Sequence, residues 1–268
     1  MIEILSYTFF QKAILTAFLA SISCGIIGSY VVSKRIVFIS DGITHASFGG
    51  IGLGYFLGLN PIMTAMIFGI LSAFGIRFIS SKGNIREDST IGIFLALGMA
   101  VGIIFIYLTP GYAPDLSSYL FGNILTVTSN DIVFSSVITL ISSAGIILFY
   151  KEILFVAFDE QYAKIMKLKV EFINYSMIAL VALVVVVNIR IAGVILIISL
   201  LTIPQTTALL ISKRFNMIII LSIIIGLISS IAGLYLSFYL NIPSGASIVF
   251  SEAMIFMTVK LVYLSKRG

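Results

Sequence analysis

Cysteine and histidine each occur once in the 268 residues, and tryptophan does not occur at all. The single thiol, Cys24, can form neither an intrachain disulfide nor a multi-thiolate metal cluster, which excludes a disulfide-stapled module and a zinc-ribbon domain. Charge is scarce as well. Asp, Glu, Lys and Arg make up 10 % of the chain, against about a quarter in a soluble domain. No G-x-x-x-x-G-K-[ST] phosphate loop occurs, so the chain does not carry that ATP-hydrolysing motif itself. The net charge of +5 is not gathered into one basic patch, which argues against nucleic acid as a partner.

What is present is apolar: 60 % of residues are hydrophobic, too many to hide in a water-soluble core of this length, so lipid is the expected solvent. Apolar runs fall at about 12–33, 36–59, 61–80, 90–109, 131–150, 171–189, 191–211, 217–240 and 245–264. Each is long enough for a crossing of about twenty residues, which predicts an all-α polytopic bundle of about nine transmembrane helices in a single domain, 1–268. The N-terminal stretch has neither a basic n-region nor a small-residue cleavage site and reads as a retained helix. When the spans alternate, every Lys and Arg except Lys12 and Arg190 falls on the side of Lys34 and Arg35. The positive-inside rule then places the N-terminus outside and the C-terminus in the cytoplasm.

Two loops are long. The outer one, about 110–130, has apolar residues enough for a short surface helix. The inner one, 151–170, reads KEILFVAFDEQYAKIMKLKV. In it Phe158, Tyr162, Ile165 and Met166 recur at helical spacing, while Asp159, Glu160, Gln161, Lys164 and Lys167 cover the other face. A short amphipathic helix is expected there, either resting on the membrane surface or inserted into a groove on a cytoplasmic partner.

Polar groups inside spans are costly and suggest function by default. Asp41 and His45 lie four residues apart on one helix face in SKRIVFISDGITHASFGG. Measured from Lys34 and Arg35, His45 sits about 15 Å deep, near the middle of the hydrocarbon core. A carboxylate and an imidazole together suit a borderline divalent metal, although the same pair also makes a structural hydrogen bond. On the same helix Ala46, Gly50, Gly54 and Gly58 form a small-residue ridge suited to close helix packing. Asn188 and Arg190 are expected at the outer interface. Pro204 interrupts its span and frees backbone groups that Gln205, Thr206 and Thr207 can satisfy. Glu252, about 12 Å deep, is a second acidic group, either on a pathway or against a partner subunit.

SDGITHASFGGIGLGYFLGLNP resembles the signature helix of the zinc/manganese/iron ABC permeases, with Ser-Asp, His-Ala and a glycine-rich run. The similarity continues in order through REDSTIGI, SSYLFGNIL, FDEQYAKIMKL, NIRIAGVILIISLLTIPQTTALL and PSGASIV, covering nearly the whole chain. The resemblance implies a vitamin-B12-permease-like (type II) importer fold in a bacterial cytoplasmic membrane. It implies a homodimer of permeases, a cytoplasmic ABC ATPase dimer and an extracytoplasmic metal-binding protein as partners. It further implies that Asp41 and His45 line the metal path, and that the segment at about 152–170 couples to the ATPase through Phe158, Asp159, Tyr162, Ile165 and Met166. The cargo implied is manganese, zinc or iron, with no permanently bound cofactor. Phe48-Gly49-Gly50 departs from the proline that many members place before the glycine, and Glu252 inherits no role.

Other functions fit less well. A secondary transporter needs a coupling-ion site and usually two related halves, and none is apparent. An intramembrane hydrolase is disfavoured by a lone histidine with no serine in a recognisable context. A permease for a metal chelate or siderophore shares the fold, and the Asp41/His45 pair is what argues against it.

Overall fold

Within a bilayer a single segment can satisfy its own backbone hydrogen bonds only as a helix, and the apolar runs fold accordingly. The computed structural model describes residues 7–83, 85–110, 122 and 124–265, with no strand among them. The helices are α1 (Thr8–Ser33), α2 (Val37–Leu57), α3 (Pro61–Lys82), α4 (Glu87–Leu108), α5 (Ser129–Leu148), α6 (Tyr150–Phe158), α7 (Glu160–Ile165), α8 (Val170–Leu200), α9 (Ile203–Ile211), α10 (Phe215–Leu240) and α11 (Ser244–Ser265). A single 3-10 turn, Ile124–Thr126, precedes α5. The surface helix expected in the outer loop lies mostly on residues 111–121 and 123, outside the described residues.

Side-chain chemistry sets the helix ends. Gly58 takes the left-handed conformation (φ 67°) that closes α2, the Asn60 carboxamide accepts from Ile62 N at 3.0 Å, and Pro61 opens α3. At α5, Thr128 and Asp131 form a reciprocal capping box, with the Asp131 carboxylate accepting from Thr128 N at 2.9 Å.

Seven stretches among the described residues are long and apolar enough to cross a membrane. The 21-residue α2 falls outside them, because Asp41, His45 and its glycines lower its hydropathy. One of the seven runs Val170–Ile211, 42 residues long, or about 63 Å as one helix, twice the hydrocarbon thickness. It is divided at Gly193, whose φ of 78° and ψ of 163° are not helical. Only glycine adopts that region readily. Gly122 (φ 60°) fits against it so closely that a Cβ there would stand 2.2 Å from Gly193 N.

The chain crosses the bundle on either side of this break. Arg190 Nη1 lies 3.3 Å from Asp131 Oδ1 at the start of α5, whereas the Phe215 ring lies 6.0 Å from that of Tyr150, just beyond the end of α5. Residues 190–215 therefore run the length of α5, and residues 170–192, roughly 34 Å of helix, form a separate crossing. Counting α2 and the divided stretch, the described residues carry the nine spans expected from the apolar runs.

The helices fall into two compact units that interleave in sequence. The first contains α1, α5, α8 from Asn188 onward, α9, α10 and α11. Its interior is rich in serine, and the hydroxyls donate to carbonyls of their own helices, as in Ser21 Oγ to Ala17 O at 2.7 Å and Ser229 Oγ to Ile225 O at 2.8 Å. Proline at 204 leaves Leu200 O without its helical N–H donor. Gln205 Nε2 donates to that carbonyl at 2.9 Å and also to Cys24 O of α1 at 2.9 Å. Thr206 and Thr207 donate to Thr202 O and Ile203 O, each at 2.7 Å. The expected repair of the Pro204 break is thus made by Gln205, whereas Thr206 and Thr207 back-bond within their own helix, Thr202 O already accepting from Thr206 N at 3.0 Å.

The second unit contains α2, α3, α4, most of α6, α7 and α8 as far as Val187. There α2 packs against α3 and α4 along its small-residue face. A Cβ at Gly52 would lie 2.3 Å from Gly102 O, and one at Gly98 would lie 2.3 Å from Ala46 Cα. Backbone meets backbone at this crossing, so the glycines of α2 serve packing. The helix runs unbroken through Phe48-Gly49-Gly50.

Candidate functional site

Along α2 from Ile39 to Gly52, every residue is buried except Asp41 and His45. Their i, i+4 spacing puts both at one opening in an otherwise enclosed stretch of the helix. His45 Nε2 lies 3.4 Å from Asp41 Oδ1, with side chains 22 % and 34 % exposed respectively. The imidazole is stacked near the buried Phe48 ring, with centroids 6.0 Å apart. Its Nδ1 is buried and has no hydrogen-bond partner. His45 is the ninth residue of α2 and Asp41 the fifth, about 12 Å and 6 Å along the helix axis from its start. The pair offers one carboxylate oxygen set and one imidazole, a donor set suited to manganese, iron or zinc. Among the described residues no group of three or more His, Cys, Asp or Glu side chains converges, so the pair stands by itself.

Glu252 contrasts with it. In α11 of the first unit it is fully buried, and among the described residues the Ser199 side chain is the one polar group acting on its carboxylate, without a hydrogen bond of ordinary geometry. Burial within its own chain removes the alternative that it faces a partner subunit. Asn188 is buried, whereas Arg190 is exposed and paired with Asp131, so only the arginine lies at a surface.

The inner segment corrects the expected single amphipathic helix. Asp159 is extended (φ −150°), and its carboxylate accepts from Tyr162 N at 2.9 Å, making it the cap of a new helix. Phe158 therefore ends α6, Tyr162 and Ile165 belong to α7, and Met166 caps its C-terminus. Lys167, at φ 59°, then turns the chain toward α8. Ala163 packs with Val156 and Val170 beneath α7. Phe158, Tyr162, Ile165 and Met166 all remain exposed, so the break leaves an outward apolar surface of the expected residues.

One set of residues was not anticipated. Arg77 of α3 reaches Glu160 Oε1 of α7 at 3.9 Å and Glu171 Oε1 of α8 at 4.0 Å. In the sequence Arg77 reads as one more basic residue at a span end.

The profile of the ABC 3 transport family matches residues 6–263. The chain belongs to that family. It is 35 % identical to the manganese transport system membrane protein MntC of Listeria monocytogenes, over 99 % of this chain and 94 % of that protein. Among solved structures it matches a chain of PsaBC from Streptococcus pneumoniae in complex with Fab, with a TM-score of 0.88 and 33 % identity over 100 % of this chain and 98 % of that one. An inward-facing metal-chelate type ABC transporter matches at TM-score 0.74 and 20 % identity, over 94 % and 85 % of the two chains, a likeness of fold alone. The ABC 3 chain is thus an all-α, multi-pass membrane protein with the type II importer fold that the signature helix implied.

Proposed function

We propose that this chain is the membrane-spanning permease subunit of a bacterial ABC importer that moves a divalent transition metal into the cytoplasm, with ATP hydrolysed on separate subunits. The opening on α2 carries the reading: a helix buried at every other position between Ile39 and Gly52 is open only at a carboxylate and an imidazole. A bare divalent cation in hydrocarbon is prohibitively costly, so a route through the membrane needs compensating charge and ligands at mid-depth. Asp41 supplies the charge, and His45 ligates through a neutral ring nitrogen. Two copies facing a common axis complete an N/O site from the two half-sites. Oxygen and nitrogen donors without thiolate suit manganese, iron and zinc. The name of the Listeria relative, a manganese transport protein, puts manganese first. A metal-chelate cargo would not need ligating side chains at the opening, and uptake assays with free and chelated metal separate the two.

The test is uptake into vesicles reconstituted with the permease, its ATPase and its binding protein. Asp41→Asn and His45→Ala should each lower manganese uptake at least tenfold, the equivalent of about 1.4 kcal/mol, while ATPase co-purification is unchanged. Near-parent uptake in both variants would make the pair structural only.

The exposed residues Phe158, Asp159, Tyr162, Ile165 and Met166 form the ATPase-docking surface in this reading, on the cytoplasmic side, with the N-terminus outside. A Tyr162→Cys substitution in a Cys24→Ala background tests both points. An impermeant thiol reagent should label it in inside-out vesicles stripped of ATPase, and the restored ATPase should block the labelling. Labelling on intact cells reverses the orientation; labelling undiminished by the ATPase removes the docking role.

A further inference from the structure

We propose that Arg77 is a positioning residue that links the docking segment to the metal-facing stretch of α2, an inference that rests on the reading above. Arg77 lies in the last two turns of α3, and its side chain is 20 % exposed. Its Nη2 is 3.9 Å from the carboxylate of Glu160, the first residue of α7, and 4.0 Å from that of Glu171 on α8. Asn174 Nδ2 donates to the same Glu160 oxygen at 3.1 Å. Glu160 is therefore gripped by α3 and α8 together, one residue after the Asp159 cap that starts α7.

Those distances exceed hydrogen-bond range, and Arg77 Nε is buried with no partner. The guanidinium is not engaged in the fork-to-fork geometry that locks an Arg–carboxylate pair. It is a charged joint with room to change partner between Glu160 and Glu171. One turn earlier, the Phe74 ring meets that of Tyr175 edge-on at 5.3 Å, which keeps the same face of α3 on α8.

The other side of the joint faces α2. Ile76, adjacent to Arg77, is fully buried, and its Cδ1 lies 3.6 Å from the position a Cβ would take on Gly42. Gly42 is the neighbour of Asp41. A shift of α7 is thus conveyed through Glu160 and Arg77 to Ile76, and from there to the backbone beside the metal-facing carboxylate. Close-packed interiors pass on such displacements instead of absorbing them. Arg77 touches no metal; it acts through α2.

The experiment compares metal transported per ATP hydrolysed in vesicles holding the permease, its ATPase and its binding protein, supplied with manganese. Arg77→Gln and Glu160→Gln should each lower the ratio about tenfold, within the roughly 5–150-fold span of energetic couplings between sites. Metal-independent hydrolysis and co-purification of the ATPase should stay at parent level. If both residues act through one contact, the double variant is no worse than the poorer single one. Arg77→Lys, which keeps the charge without the fork, should restore part of the ratio. Where Arg77→Gln does not fold, Glu160→Gln alone decides. An unchanged ratio, losses that multiply in the double variant, or an equal fall in hydrolysis and uptake would each overturn the link. Parent vesicles that hydrolyse ATP but import no metal would overturn the proposed function, and this inference with it.

Discussion

Asp41 and Glu252 are both acidic residues within membrane-spanning helices, and their surroundings differ in every respect that matters to a cation. Asp41 is 34 % exposed at the side chain, has an imidazole 3.4 Å away, and lies at the one opening between Ile39 and Gly52 of its helix. Glu252 is 0 % exposed, with only the Ser199 side chain among the described residues acting on its carboxylate, in a unit whose other buried polar groups bond mostly within their own helices. Depth in the bilayer is similar for the two when read from sequence. Access and a neighbouring imidazole separate them, and the access depends on what the neighbouring helices cover. An intramembrane carboxylate is a functional candidate by default; here the enclosing helices choose between two candidates.

The largest effect that can break this contrast is on transport. Asp41→Asn removes the charge at the opening and should lower uptake at least tenfold, while Glu252→Gln, equally conservative in shape, should leave uptake within about twofold of the parent, well under the 1.4 kcal/mol that tenfold represents. Uptake of manganese into reconstituted vesicles, scaled to the amount of assembled complex, measures both. A tenfold loss in Glu252→Gln at normal assembly would put the sealed carboxylate on the pathway and end the contrast.

Much of this arrangement can be read from the sequence, and the exceptions share a cause. Helix period alone puts Asp41 and His45 on one face, and Pro204 followed by Gln205 announces both a break and its repair. Asn60 and Pro61 mark a start in the same way, whereas Gly58, expected in the packing ridge, instead closes α2 with nothing within 4 Å of a Cβ there. The opening on α2 is not readable, because spacing says which residues share a face and not which neighbour covers it. The division at Asp159 is a different failure. The apolar period of Phe158, Tyr162, Ile165 and Met166 suggests one helix, but an aspartate with a free amide three residues on is a cap signal that competes with periodicity and wins. Arg77 escapes notice because a lone basic residue near a span end satisfies the positive-inside pattern. Its partners, Glu160 and Glu171, are brought to it only by the fold.

Two glycines, one in each unit, differ in how tightly their helices meet neighbours, which gives the smaller test. At Gly52 a Cβ would stand 2.3 Å from Gly102 O and 2.8 Å from Gly102 Cα, both backbone atoms that cannot turn aside. At Gly226 of α10 in the first unit, the nearest atoms would be Ser21 Oγ at 3.5 Å and Leu200 Cδ2 at 3.6 Å, ordinary contact distances. Both positions are helical, so alanine brings each the same gain, about 0.5–1 kcal/mol from reduced backbone freedom in the unfolded chain. Only at Gly52 is that gain outweighed, by overpacking of about 1–3 kcal/mol. Thermal unfolding in detergent should therefore show Gly52→Ala below the parent and Gly226→Ala at or above it. If α2 is held against α4 only loosely, Gly52→Ala will melt with the parent. The crossing would then be too slack to keep α2 covered, and the opening at Asp41 and His45 would lose its structural basis.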